Sequence, residues 1–141
     1  MTRTQPRFTL GLVAVALAGF ASFSQAQDAP PANWQTGLHR TDLVQGELGV
    51  ANREVIQVRV DFDPGVVSPK HSHPGVEVAH VLAGTIEYQL DGRAPVTLKT
   101  GDSLLIPQGV AHLAKNVGGT QASELATYIV DKQAPLVKIE H

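Results

Sequence analysis

The chain has 141 residues, no cysteine, and 11 lysines and arginines against 13 aspartates and glutamates, for a formal net charge of −2. Without thiols there are no disulfides, no thiolate metal site and no lipid-modified cysteine anchor. The near-balanced charge gives no electrostatic basis for holding nucleic acid or anionic lipid.

Residues 1–26 read as a secretory signal peptide. Arg3 and Arg7 precede the apolar stretch Phe8 to Phe23, and Ser24-Gln25-Ala26 offers a small-residue cleavage site. The apolar stretch falls short of the roughly 18 to 20 residues that a bilayer span requires. Arg3 and Arg7 are not adjacent, which argues against the twin-arginine route. The expectation is a periplasmic or secreted protein with no stable membrane anchor once the peptide is removed. The remaining length suits one domain.

Residues 27–52 read as an arm, proline-rich at DAPPANW and glycine-punctuated after it, with one short strand around Leu38 to Val44. EVIQVRVDF then alternates, with Ile56, Val58, Val60 and Phe62 on one face, as a half-buried strand does. Asp63-Pro64-Gly65 ends it with turn chemistry. Short apolar runs follow at 77–82, 85–90, 95–98, 103–106 and 122–130, separated by glycine-containing turns. Asp91-Gly92 is the strongest local hairpin signal among them. No 12-residue window after position 26 carries a helical stripe. The pattern predicts an all-β sandwich or barrel over 53–131, with 132–141 as a tail that Pro135 keeps from forming a strand.

The stretch PKHSHPGVEVAH, 69–80, concentrates the chemistry. His71 and His73 are two apart, so on an extended backbone both imidazoles point to one side. Glu77 would lie about 13 Å from His73 on a straight strand, and a bend at Pro74-Gly75 is needed to fold it back. His112 is the candidate for a fourth ligand from another strand. Three imidazoles and a carboxylate suit one divalent transition metal, Fe(II), Mn(II), Ni(II), Cu(II) or Zn(II), and the donor set alone does not choose among them.

Two stretches carry a resemblance. Residues 65–84 read Gly65, five residues, His71-x-His73, three residues, Glu77, six residues, Gly84; residues 101–116 read Gly101, five residues, Pro107-x-Gly109, two residues, His112, three residues, Asn116. At every defining position these match the two signature motifs of the cupin superfamily. The chain resembles small single-domain bacterial cupins of the type-2, quercetin-dioxygenase-like kind.

The resemblance implies an antiparallel double-stranded β-helix, a jelly-roll barrel, with a metal held by His71, His73, Glu77 and His112. It also implies a homodimer and a small-molecule substrate or ligand. Pro107 would fix the turn that aims His112 inward, and Asn116 would satisfy backbone groups. Many cupins with this ligand set resemble dioxygenases of small phenolic, flavonoid, diketone or thiol substrates, in which the glutamate alternates between ligand and general base, so Glu77 is the expected catalytic residue. The alternatives are a metal-dependent isomerase or lyase, and a cupin that binds a metal or small ligand without turnover. No second acid–base pair beyond the metal shell is evident.

If Glu77 faces inward, Ala79 and Val81 share its face and His80 points away. His39 and His141 read as solvated, Gln57 and Arg59 as an outer sheet face, Lys70 as part of a solvated loop, and Tyr88 and Trp34 as packing residues.

Overall fold

The computed structural model describes residues 36–141; the expected signal peptide, the first part of the arm and Trp34 lie outside the described residues. The strands are β1 (Leu38–Glu47), β2 (Arg53–Phe62), β3 (His71–Ser72), β4 (Gly75–Ala83), β5 (Thr85–Leu90), β6 (Val96–Lys99), β7 (Ser103–Ile106), β8 (His112–Asn116), β9 (Ala122–Asp131) and β10 (Lys138–Ile139). They form two five-stranded sheets ordered β1-β2-β9-β4-β7 and β10-β3-β8-β5-β6. Every strand pair is antiparallel. The fold is an antiparallel jelly roll, and among the described residues there is no helix.

Period-2 alternation decides what each sheet buries. On β4 the inward residues are Gly75, Glu77, Ala79 and Val81, and on β9 they are Ala122, Glu124, Ala126, Tyr128 and Val130. Phe62, Val81, Ile86, Tyr88 and Ile106 form the main core, and Val58, Ala126, Tyr128 and Val130 a second cluster beside it. Each large apolar side chain taken out of water contributes about 1.5 to 3 kcal/mol.

Two glycines permit the close approach of strands. A Cβ on Gly75 would lie 2.0 Å from the carbonyl oxygen of Ile129, so only glycine lets β4 begin this tightly against β9. Gly84 adopts φ +80°, and a Cβ there would meet Ala122 at 2.8 Å. Asn116, fully buried, donates through Nδ2 to the carbonyls of Phe62, Asp63 and Thr120, stitching the loop at 117–121 to the end of β2.

Two expectations need correction. The short strand at 38–44 is a ten-residue strand paired with β2 from Leu38↔Phe62 to Glu47↔Glu54, with a bulge between Asp42 and Val44. As an edge strand it is exposed along most of its length, so little alternation was imprinted on its sequence. The tail is not free either: β10 pairs with β3, the Glu140 amide donates to the Lys70 carbonyl, and Ser72 Oγ donates to Glu140. A two-residue strand is too short to show a period, and Pro135 lies in the irregular segment before it. Backbone pairing therefore reaches beyond 53–131 on both sides.

Candidate metal centre

The four expected ligands come from separate places in the chain and meet inside the barrel. His71 is on β3, directly across from His112 on β8. His73 follows in the link to β4, and Glu77 is the third residue of that strand. Ring centroids are 4.4 Å apart for His71 and His112, 4.9 Å for His71 and His73, and 5.2 Å for His73 and His112. One potential ligand atom from each of the three histidines lies within 4.8 Å of the others. Glu77 Oε2 is 3.0 Å from His73 Nε2 and 3.3 Å from His112 Nε2. The Pro74-Gly75 bend thus brings Glu77 back to His73 across a gap that a straight strand would leave open.

The histidines share one arrangement. Nδ1 of His71 donates to the Pro69 carbonyl at 2.8 Å, that of His73 to the Leu136 carbonyl at 2.7 Å, and that of His112 to the Val110 carbonyl at 3.0 Å. A carbonyl only accepts, so each Nδ1 carries the ring proton and, in the neutral ring, each Nε2 presents a lone pair. The Leu136 contact gives the 132–141 segment a place in the site.

His73 Nε2 and Glu77 Oε2 are buried and have no hydrogen-bond partner, in spite of their 3.0 Å separation. With Nδ1 protonated, a lone pair faces a carboxylate oxygen, an arrangement that costs free energy in a dry interior. A divalent cation would satisfy both atoms together, and the nitrogen and oxygen donors suit a first-row transition metal. The residues present fit such an ion.

Burial alone would push the Glu77 carboxyl up, but the close approach of the His112 and His73 imidazoles outweighs it and holds the group down to about 2. His71 is pushed down to about 4, by burial first and then by His112 and His73. Burial also works against a charged His112, yet contact with Glu77 prevails and raises it. Glu77 and His112 thus favour each other's charged forms, whereas burial favours the neutral form of His71.

A second buried carboxyl with a hydroxyl partner, not singled out from the sequence, lies in the same barrel. Glu124 on β9 is 5% exposed, and Tyr88 on β5 donates its hydroxyl proton to Glu124 Oε2. Burial first, then the charge of Glu77, push the Glu124 carboxyl up to about 8 against the lowering effect of the Tyr88 bond. Tyr128 leans on the His73 ring at 4.7 Å. Its hydroxyl is pushed well up, by burial first and then by Glu77 and Glu124. The signal was available: Glu124 has the same parity as Ala122, Ala126, Tyr128 and Val130, a lone charged residue on an apolar face.

Histidines, carboxyls and tyrosines line one cavity of about 870 Å³, its wall continued by Arg40 of β1 and by Leu136. The other singled-out residues stay outside the centre. His80 Nδ1 is 2.8 Å from Ser103 Oγ on the far face of β4. His39 is exposed near Asp63, and His141 is exposed. Lys70 pairs with Asp91 at 2.8 Å, Gln57 donates to Thr127, and Arg59 donates to Ser123 and Asp61.

Comparison with known proteins agrees with this architecture. A family profile described as Cupin domain matches residues 58–128. The auxin-binding protein ABP19a of Prunus persica is 42% identical over 79 residues, covering 52% of this chain and 38% of that protein. The chain spans only about two fifths of the length of the curated relatives it matches first. A cupin-like protein of Thermotoga maritima superposes with a TM-score of 0.61 at 28% identity, covering 73% of this chain and 75% of that one. A recombinant oxalate oxidase in complex with glycolate superposes with a TM-score of 0.60 at 25% identity, covering 89% of this chain and 72% of that one.

Proposed function

The chain belongs to the cupin family, and from that premise we propose that it is an exported, metal-dependent oxidoreductase of the dioxygenase-like kind, acting on a small organic substrate. The observation that carries the reading is the buried, unpartnered pair of His73 Nε2 and Glu77 Oε2, beside two more imidazoles whose Nδ1 protons are already committed to carbonyls. His71, His73 and His112 would hold the ion through Nε2, with Glu77 as the anionic ligand. A divalent transition metal bound there would supply Lewis acidity and redox capacity. Glu77, within reach of two imidazoles, would accept a substrate proton and return it directly to the product. Phe62, Ala114 and Val130 add apolar wall to a cavity large enough for a small organic molecule.

The likeness to an oxalate oxidase supports the oxidoreductase class. Export follows from the reading of residues 1–26. A homodimer is supported by β1, an open sheet edge with Leu43 and Val44 more than half exposed.

Elemental analysis of protein from its native source, followed by oxygen-uptake assays against phenolic, diketone, thiol and small hydroxy-acid compounds, tests the proposal. The expected result is about one transition metal per chain and uptake with one class of compound. Bound metal without uptake across the panel would leave a metal-binding protein without this activity.

A further inference from the structure

Glu124 is a second carboxyl in the cavity, and it is built differently from the first. Its neighbours across the sheet are Val60 on β2 and Val81 on β4, and along its own strand the inward positions beside it are Ala122 and Ala126. Two alanines on that face leave room in front of the carboxyl. Among the described residues no lysine or arginine forms an ion pair with it, and its hydrogen-bond partner is the neutral hydroxyl of Tyr88, bonded to one oxygen. The other oxygen has no hydrogen bond within the described chain, yet it is not among the sealed-off unpartnered atoms, and the residue lines the cavity. A buried carboxyl kept only for structure is expected to satisfy both oxygens internally. This one keeps an oxygen for something that enters the cavity.

We propose that Glu124, supported by Tyr88, is a second proton-exchanging site of the cavity. It takes a small organic compound bearing two neighbouring oxygen functions, one directed at the histidine cluster and the other at the Glu124 carboxyl.

The inference rests on the metal-centre reading for the first of those two contacts. The ionisable groups facing Glu124 are Tyr88 from β5, Glu77 from β4, His112 from β8 and Tyr128 from its own strand. The dry surroundings favour the neutral carboxyl. A neutral carboxyl offers an O–H to a carbonyl or hydroxyl oxygen of the ligand. In proton transfer the carboxyl O–H bond breaks, an O–H bond forms on the ligand, and the Tyr88 hydroxyl bond steadies the carboxylate left behind. The reverse step takes a proton from a ligand hydroxyl. No electrons change hands. Two oxygen functions on one molecule suit the cavity because the histidine cluster and Glu124 both line it and each recognises oxygen: the first through a bound cation, the second through hydrogen bonding. Hydroxy acids, hydroxy ketones and vicinal diols of phenols belong to this class.

The test uses the full chain loaded with Zn(II), which has no redox chemistry to consume the probe. Glycolate and catechol are titrated calorimetrically in buffers of different ionisation enthalpy, so that proton uptake or release is counted together with affinity. Metal content is measured on each variant. We expect the wild-type chain to bind at least one probe. Glu124→Gln should hold the same zinc, bind that probe about tenfold more weakly, the worth of one buried hydrogen bond, and lose the pH-dependent part of the proton count. Tyr88→Phe, a change at a positioning residue, should keep zinc and shift the pH at which the proton count changes. Unchanged affinity and proton count in Glu124→Gln would overturn the assignment, as would failure of zinc-loaded wild-type protein to bind either probe. Failure of the wild-type chain to hold zinc would instead sink the metal-centre reading, and infrared spectra then decide Glu124 separately. Loss of a protonated-carboxyl carbonyl band in Glu124→Gln supports a neutral, proton-exchanging group, and no change removes it.

Discussion

Glu77 and Glu124 are the same residue type on adjacent strands of one sheet, both facing inward and both at most 5% exposed. Glu77 meets two imidazoles and is held down to about 2; Glu124 meets a tyrosine hydroxyl and two valines and is pushed up to about 8. The difference teaches that the role of a carboxyl in this barrel is set by what the opposite sheet presents. The imidazoles around Glu77 come from β8 and the β3–β4 link, and the tyrosine on Glu124 comes from β5. Placing carboxyls with separated proton affinities in one cavity is how one site holds both an anion and an acid at neutral pH.

The contrast is most open to being broken by metal content. Glu77→Gln, His71→Ala and His112→Ala should each reduce bound metal, assayed by elemental analysis at limiting metal, from about one ion per chain to below about a tenth of that, since each removes one of the proposed ligands. Glu124→Gln should retain it. Equal losses in the two glutamate variants would erase the distinction.

A smaller effect is expected from deleting 132–141. The deletion removes the Leu136 carbonyl that orients His73, and loss of such an outer partner lowers metal affinity by about 10- to 100-fold. An unchanged dissociation constant, measured by competition with a chelator, would reduce the tail to packing.

Chelation should lower the thermal midpoint. An ion at 100 times its dissociation constant stabilises the native state by about 2.7 kcal/mol, on the order of 10 °C for a domain of this size. The drop should be the same in Glu124→Gln and absent in His112→Ala, as read by calorimetry.

The last contrast is pH-dependent and separates the two carboxyls. Its carboxyl is raised in the folded protein from the usual 4.5 to about 8. Between those values the unfolded chain releases the proton and the native chain keeps it, so this group's contribution to stability falls as pH rises from about 4.5 to about 8. In metal-free protein, the midpoint of Glu124→Gln relative to wild type should climb across that window. A flat difference would show Glu124 to be ionised throughout. Glu77 runs the other way: its stabilising contribution is present above about 4.5 and is lost as pH falls toward about 2.

Much of this is legible in the sequence. The alternation of EVIQVRVDF reports a half-buried strand wherever it stands in the fold, because the side-chain period belongs to the extended backbone itself. The spacing of His71, His73 and Glu77 around Pro74-Gly75 pointed to one centre, and His112 was reachable through its place after Pro107 and Gly109. Other parts were hidden for physical reasons. β1 is held by ladder hydrogen bonds while its side chains face solvent, so pairing left no apolar pattern to read. β10 owes its position to β3 rather than to its own two residues.

What the sequence determined by itself is therefore local: which inner segments alternate as strands, where they turn, and which donor types sit at metal-binding spacing. Only the closing of the two sheets decided that Tyr88, 36 residues before Glu124, reaches its carboxyl, and that Leu136 holds His73, 63 residues before it, in the tautomer that frees Nε2. Those contacts depend on which strands face each other across the cavity, and neither periodicity nor turn chemistry encodes that pairing within a single segment.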